Sequence, residues 1–256
     1  MTGLNKKTKN NIFKMAVVMV IIVASVLTFT SCIYIPIRVN TVHGSGNIVS
    51  ETREIKDFEK VSLEGIGTLI IEQGDKEFIT IEAEDNIIPK IETTVRNGKL
   101  IIDYKRPYFN IIPTKDIKFH LKVKNLSSIN LSGAGNVECD KFETDKLKIN
   151  TSGAGKIKFN VTANDFEVDI SGAGSAELSG KVEEQKIDIS GAGNYQAKDL
   201  ESKNCTISIS GIGSATVNAT ENLDITISGV GNVNYIGSPK INQEINGPGR
   251  IKNISD

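Results

Sequence analysis

The sequence predicts an all-β fold: a single-stranded parallel β-helix, or β-solenoid, with coils of about 18–21 residues and a hairpin inserted near its N-terminal end. Three observations predict it. A Gly-rich motif recurs at a nearly constant step. Apolar and polar residues alternate on both sides of each copy. The composition suits short strands and tight corners. Among 256 residues there are 23 Gly, no Trp and only 5% aromatics, too few large rings for a compact globule of this length.

The first 31 residues read as an address and not as fold. Lys6, Lys7, Lys9 and Lys14 give a positive start, and Met15 to Thr30 then runs apolar up to Ser31 and Cys32. This resembles a bacterial lipoprotein signal, with Phe29 where such signals usually carry Leu. In that reading Cys32 becomes the first mature residue and carries the lipid. The rival reading is an uncleaved anchor, because Met15 to Ile37 is long enough to span a bilayer of ~30 Å. In that case the Lys cluster holds the N-terminus inside. Either way the chain after a linker at 32–42 is expected outside the cytoplasm, with one domain over 43–256.

The first part of that domain alternates less regularly. Strands are expected at Val61–Leu63, Leu69–Glu72, Phe78–Ala83, Ile91–Val95 and Leu100–Tyr104. Asn97-Gly98 between the last two is a two-residue hairpin signal. Ile117–Val123 then leads into the regular repeats. This segment is expected to start the solenoid and to shield the open edge of its first coil.

The repeats follow. Ser132-Gly133-Ala134-Gly135 recurs with Gly153 and Gly155, Gly172 and Gly174, Gly191 and Gly193, Gly211 and Gly213, Gly229 and Gly231, and in a worn copy with Gly247 and Gly249. Counted from each Ser, the residues one and three before are mostly apolar, as in Ile170 and Val168. So are those five and seven after, as in Ile157 and Phe159. The positions between are polar. Period-two alternation on both sides of a Gly-rich stretch means strand, corner, strand. One such unit cannot bury its apolar face alone, so copies must stack. A step near 19 residues is also too short for a propeller blade. Stacking puts Lys148, Glu167 and Lys186 in one column and Glu138, Lys158 and Glu177 in another, with opposite charges one rung apart. The glycines are expected at corners with positive φ. The residue between them is expected to leave room for stacking or to point inward as a small filler. Pro239, Pro248, Arg250 and Lys252 are expected to discourage further strand addition at the far end.

The succession Gly44-Ser-Gly-Asn-Ile48, Phe58-Glu-Lys-Val-Ser-Leu-Glu-Gly-Ile-Gly67, Ile81-Glu-Ala-Glu-Asp-Asn86 and Asn97-Gly-Lys-Leu100, followed by serial Ser-Gly-Ala-Gly, resembles the putative auto-transporter adhesin head domain family, the head GIN domain (DUF2807). The resemblance spans about Val42 to Ile251. It implies a β-helical fold and a cell-envelope location, and it offers no catalytic residues to carry over.

Charge and chemistry narrow the function. With 30 Lys plus Arg against 31 Asp plus Glu there is no basic excess for nucleic acid. The cysteines are Cys32, Cys139 and Cys205, an odd count with no paired spacing for disulfides or zinc. No metal or other cofactor is expected. Cys139 falls in an inward column with Phe159 and Leu178, and Cys205 in one with Leu147, Phe166, Leu223 and Ile241. Both suit apolar filling. His43 and His120 stand apart from other ligand types. Asp169 and Asp188 stack one rung apart but read as a solvated face, with Lys148 and Lys186 nearby. The leading expectation is a membrane-anchored, non-catalytic, adhesin-like module whose outward column Asn136, Lys156, Ser175, Asn194, Ser214 and Asn232 meets a glycan or an envelope protein. The alternatives are a β-helix polysaccharide lyase or hydrolase and an envelope-stress or signalling accessory lipoprotein.

Overall fold

The computed structural model describes residues 41–105 and 110–255. The expected signal at 1–31, the lipidated Cys32 and the linker up to residue 40 lie outside the described residues. Among those described there is no α-helix, only a single turn of 3-10 helix at Ile88–Lys90. The strands in chain order are β1 Thr41–His43, β2 Ile48–Glu54, β3 Lys60–Leu63, β4 Gly67–Gln73, β5 Phe78–Glu84, β6 Ile91–Arg96, β7 Lys99–Tyr104, β8 Asn110–Ile112, β9 Lys118–Val123 and β10 Ser128–Leu131. They continue as β11 Gly135–Glu143, β12 Lys146–Thr151, β13 Ala154–Ile170, β14 Ala173–Ile189, β15 Ala192–Ile209, β16 Ile212–Ile227, β17 Val230–Ile236, β18 Lys240–Ile245 and β19 Gly249–Asn253.

Apart from β1 and β8, which pair with each other in a separate two-stranded sheet, these strands wind as a β-solenoid with two faces. One face pairs β2 with β5, β5 with β9, β9 with β4 and β4 with β11. It then runs through the first halves of β13 to β16 to β17 and β19. The other pairs β6 with β7, β7 with β3, β3 with β10 and β10 with β12, and runs through the second halves of β13 to β16 to β18. All pairs between regular coils are parallel, as expected when each coil lays a like strand on the last. The expected columns hold: Lys148 pairs with Glu167 and Glu167 with Lys186, while Glu138 pairs with Lys158 and Lys158 with Glu177. The inward columns are fully buried, for example Ile129, Ile149, Val168, Ile187 and Ile207. Each stabilises the stack by roughly 25 cal/mol per Å² of apolar surface removed from water.

Volume is balanced between coils. Tyr195 points inward between Ala176 on the coil below and Ala215 on the coil above, so the two small residues make room for the ring. Its hydroxyl accepts a hydrogen bond of 2.6 Å from Gln185 Nε2. Gln185 is itself buried, in the column that joins Phe166 to Cys205, and its Oε1 has no partner. The expected column of Cys205 omitted this residue because it breaks the apolar alternation. Tyr195→Phe leaves the Gln185 amide unpaired on its donor side as well and is expected to cost about 1–3 kcal/mol. Gln185→Leu with Tyr195→Phe removes both polar groups and should recover most of that loss in a thermal melt.

The corners carry one correction. No glycine of the Ser-Gly-x-Gly copies has positive φ; among the described residues the glycines that do are Gly46, Gly67, Gly98, Gly180 and Gly237. The first glycine of each copy is required by close approach instead. A Cβ on Gly153, Gly172, Gly191, Gly211 or Gly229 would lie within 3.0 Å of the backbone oxygen of the matching glycine one coil below. At the second glycine the nearest obstacle is in some coils an isoleucine side chain, as where a Cβ on Gly193 would meet Ile170 Cγ2 at 2.8 Å. The residue between the glycines faces solvent, as Ala134, Ala154, Ala173 and Ala192 do, and is not an inward filler. Positive φ does operate in the inserted hairpin. Asn97 and Gly98 have φ of 51° and 69° between the paired residues Arg96 and Lys99, the geometry of a type I′ turn.

The N-terminal end of the stack differs in pairing, with β2 and β6 as its outermost strands. Here β2, β5 and β6 add antiparallel strands. Arg53 of β2 crosses the end of the core, donating from Nη1 to Ile91 O at 3.0 Å and to Thr93 Oγ1 at 3.2 Å, and from Nε to Glu51 at 2.6 Å.

Candidate functional site

The outward column of the first face is assembled as the spacing predicts. Asn136 lies over Thr68, and Lys156, Ser175, Asn194, Ser214 and Asn232 follow in register up to Arg250. Asn136, Lys156, Asn194 and Asn232 are exposed; Ser175 and Ser214 are half-buried. The column also bonds to itself. Asn136 Oδ1 accepts from Lys156 N at 3.0 Å, and Asn194 Oδ1 accepts from Ser214 Oγ at 2.7 Å and from Gln196 Nε2 at 2.8 Å. Lys156 pairs with Glu177 at 2.5 Å. These contacts fix the side chains in place, which lowers the entropy they would lose to a partner.

The second face holds a groove of about 670 Å³ lined by Lys148, Asn150, Glu167, Asp169, Lys186 and Asp188, with the hydroxyls of Ser152, Ser171, Ser190 and Ser210 along its edge. Lys148 bridges Glu167 at 3.2 Å and Asp169 at 2.7 Å, and Lys186 reaches Glu167 at 3.0 Å. Partial burial works against the Glu167 carboxylate, but hydrogen bonds from Lys186 and Lys148 outweigh it and hold its pKa below the usual value. The Asp169 hydrogen bond raises that of Lys148. Asp169 and Asp188 are one rung apart as expected. Among the described residues no group of three or more His, Cys, Asp or Glu is placed to hold a metal ion. Cys139 and Cys205 are both free and buried, and burial pushes the Cys139 thiol up to about 11 and the Cys205 thiol up as well. His120 stands 3.9 Å from Glu82.

A third constellation was not singled out in the sequence. Glu84 ends β5 with no solvent exposure, where its carboxylate accepts from Gly46 N at 2.6 Å, from Thr114 N at 3.0 Å and from the Thr114 hydroxyl. The neighbouring Asp85 accepts from Asn47 Nδ2 at 2.9 Å and from the Ser45 hydroxyl. Asn86 accepts from Ser45 N at 3.1 Å and donates to His43 O at 2.7 Å. Three successive side chains thus clasp the Gly44–Asn47 turn, and Glu84 also ties down the loop after β8. The space at Gly44 belongs to the Glu84 carboxylate, into which any Cβ would run. The two short motifs that meet here, Gly-Ser-Gly-Asn and Glu-Asp-Asn, were legible; their contact was not. The Thr114 hydroxyl foremost, and then the backbone donors, hold Glu84 below the usual carboxylate value, and Asn47 and Ser45 do the same for Asp85. A folded-state pKa below the unfolded one gives stability that is present above the unfolded value, about 4.3 for Glu and 3.9 for Asp, and that is lost as pH falls through the folded value. In an acid titration followed by tyrosine fluorescence, wild type should therefore unfold at a lower pH than a Glu84→Gln variant. That variant should melt lower at pH 7 and show a flatter dependence of melting temperature on pH below 5.

The sequence profile of a family described as "putative auto-transporter adhesin, head GIN domain" matches residues 57–239. Among solved structures, a putative adhesin from Bacteroides fragilis superposes with a TM-score of 0.79 at 28% identity, over 83% of this chain and 100% of that one. A putative adhesin from Parabacteroides merdae does so with a TM-score of 0.66 at 22% identity, over 84% and 99%. A structure from Parabacteroides distasonis described as a putative lipid binding protein gives 0.62 at 22%, over 84% and 99%. The last two show a shared fold. No curated protein matches the chain.

Proposed function

Because the chain belongs to the head GIN domain family of putative auto-transporter adhesins, we propose that its solenoid is a non-catalytic, adhesin-like binding module displayed outside the cell. The N-terminal segment holds it to the membrane, through lipid on Cys32 or as an uncleaved anchor. Binding is by display: hydroxyl, amide and charged groups recur at the rung spacing of about 4.8 Å on both faces, a pattern suited to a glycan chain or to an extended protein surface. The observation that carries this reading is the groove of the second face, where Asn150, Asp169 and Asp188 line a concave strip of about 670 Å³ bordered by Lys148 and Lys186. The solved relative from Bacteroides fragilis, itself described as a putative adhesin, supports the same class.

The test is capture of envelope glycans and envelope proteins by the full chain in detergent, with one variant per face. Asn136→Ala with Asn194→Ala and Asn232→Ala alters the first face; Asn150→Ala with Asp169→Asn and Asp188→Asn alters the second. The first-face changes are at exposed positions and the second-face changes at half-buried ones, so the melting temperature of each variant is measured and binding is compared for folded variants. One variant is expected to lose a bound species that the other retains. Retention of every bound species by both variants, or capture of nothing by wild type, contradicts the proposal. Radiolabelled lipid on wild type but not on Cys32→Ala identifies the lipid anchor.

A further inference from the structure

The last coil ends in two strands that have a neighbour on one edge only among the described residues: β18 lies on β16, and β19 on β17. Ile241 and Ile245 of β18 are 37% and 41% exposed, whereas Leu223 and Ile227, one coil below in the same columns, are fully buried. Ile251 of β19 is half-buried. On the outer side β19 presents Arg250 and Lys252. In the body of the stack several cations are answered by a carboxylate on the adjacent coil, as in Lys148 with Asp169 at 2.7 Å, Lys156 with Glu177 at 2.5 Å and Lys181 with Glu201 at 2.8 Å. Neither Arg250 nor Lys252 has an ion pair among the described residues. An unpaired strand edge is a template for another strand, and the charges on it select which strand.

We propose that the C-terminal edge of the solenoid is a docking site for an extended acidic segment of a partner protein, which adds to β19 as the next strand of the first face. Register defines its chemistry. A strand laid on β19 in parallel puts one side chain over Arg250, the next over Ile251 and the next over Lys252, so the fitting sequence alternates acid, apolar, acid. A second copy of this chain fits poorly in either sense. Tail to tail, antiparallel pairing about Ile251 sets Arg250 opposite Lys252 of the other copy, and like charges opposite one another destabilise. Head to tail, the columns continue from Arg250, Ile251 and Lys252 to Ser50, Glu51 and Thr52. That places the Glu51 carboxylate over Ile251 and leaves both cations without an acid. The first 50 residues offer no alternative, since they contain neither Asp nor Glu.

The experiment measures binding of fluorescent peptides to the full chain in detergent micelles. The first peptide alternates Glu and Val, the second alternates Lys and Val, and the third is the Glu peptide with a central Pro, which cannot donate to the ladder. The Glu peptide is expected to bind at least about tenfold more tightly than the other two and to weaken as salt rises. Arg250→Glu with Lys252→Glu should abolish its binding, and Arg250→Gln with Lys252→Gln should weaken it. Both variants are exposed, and each is checked by its melting temperature. Equal binding of the Lys or Pro peptides overturns the proposal. So does binding unchanged in either folded variant, no binding of the Glu peptide, or concentration-dependent self-association of wild type that excludes the peptide.

Discussion

Gly172→Val lowers the melting temperature by roughly 6–12 °C. A Cβ at Gly172 falls within 3.0 Å of the carbonyl oxygens of both Gly153 and Ser152 on the coil below. These are backbone atoms fixed in the parallel ladder, so no rotamer change relieves the clash. Gly172 O stands in the same way over the Cβ direction of Gly191, so a shift of one corner passes to the next. Overpacking costs about 1–3 kcal/mol where neighbours can move, and the upper end of that range applies here. In a domain of this size about 1 kcal/mol shifts the melting temperature by roughly 2–4 °C. The control is the adjacent Ala173, whose side chain faces solvent. Ala173→Ser is expected within about 0.5 kcal/mol of wild type. A Gly172→Val protein that melts with wild type contradicts the close-approach account of the corners.

Phe159→Ala is expected to cost about 3–5 kcal/mol in urea denaturation, the range for emptying a buried aromatic site. The Phe159 ring is fully buried between Cys139 on the coil below and Leu178 on the coil above, and its centroid lies 6.1 Å from that of Phe142. The cavity cannot collapse readily, because the coil spacing is set by backbone hydrogen bonds above and below it. In a stacked repeat, stability is close to a sum of coil and interface contributions. A defect in the middle is therefore expected to broaden the transition as well as shift it. Phe159→Leu keeps most of the volume and should lose less than half as much. An unchanged midpoint in Phe159→Ala would mean that this column is not packed as described.

Much of the architecture was legible because one signal repeats. Alternation on both sides of Ser-Gly-x-Gly places Ile149, Val168, Ile187 and Ile207 in one buried column, and the register confirms it. The charge columns through Glu167 and Lys158 were legible for the same reason. Three features were not. Positive φ is the commonest local cause of a Gly at a turn, whereas the constraint on the first corner glycine comes from a carbonyl about 19 residues earlier in the chain. Gln185 interrupts an apolar column, and only the Tyr195 hydroxyl across the core accounts for it. The Glu84 clasp joins residues some 40 positions apart, and no local period carries that information. Of the candidate faces, the Asn136 to Asn232 column was predicted residue by residue. The groove beside Lys148 depends on how the second face curves, which spacing does not encode.

The central claim is that successive repeats lie one rung apart in vertical register, and paired spin labels measure it most directly. With one label fixed at Asn136, second labels at Ser214, Asn232 and Arg250 stand four, five and six rungs away. Double electron–electron resonance should give mean distances of about 19, 24 and 29 Å, rising by about 4.8 Å per rung. Distances that level off or shorten along the series would describe a closed or irregular sheet and contradict the stack.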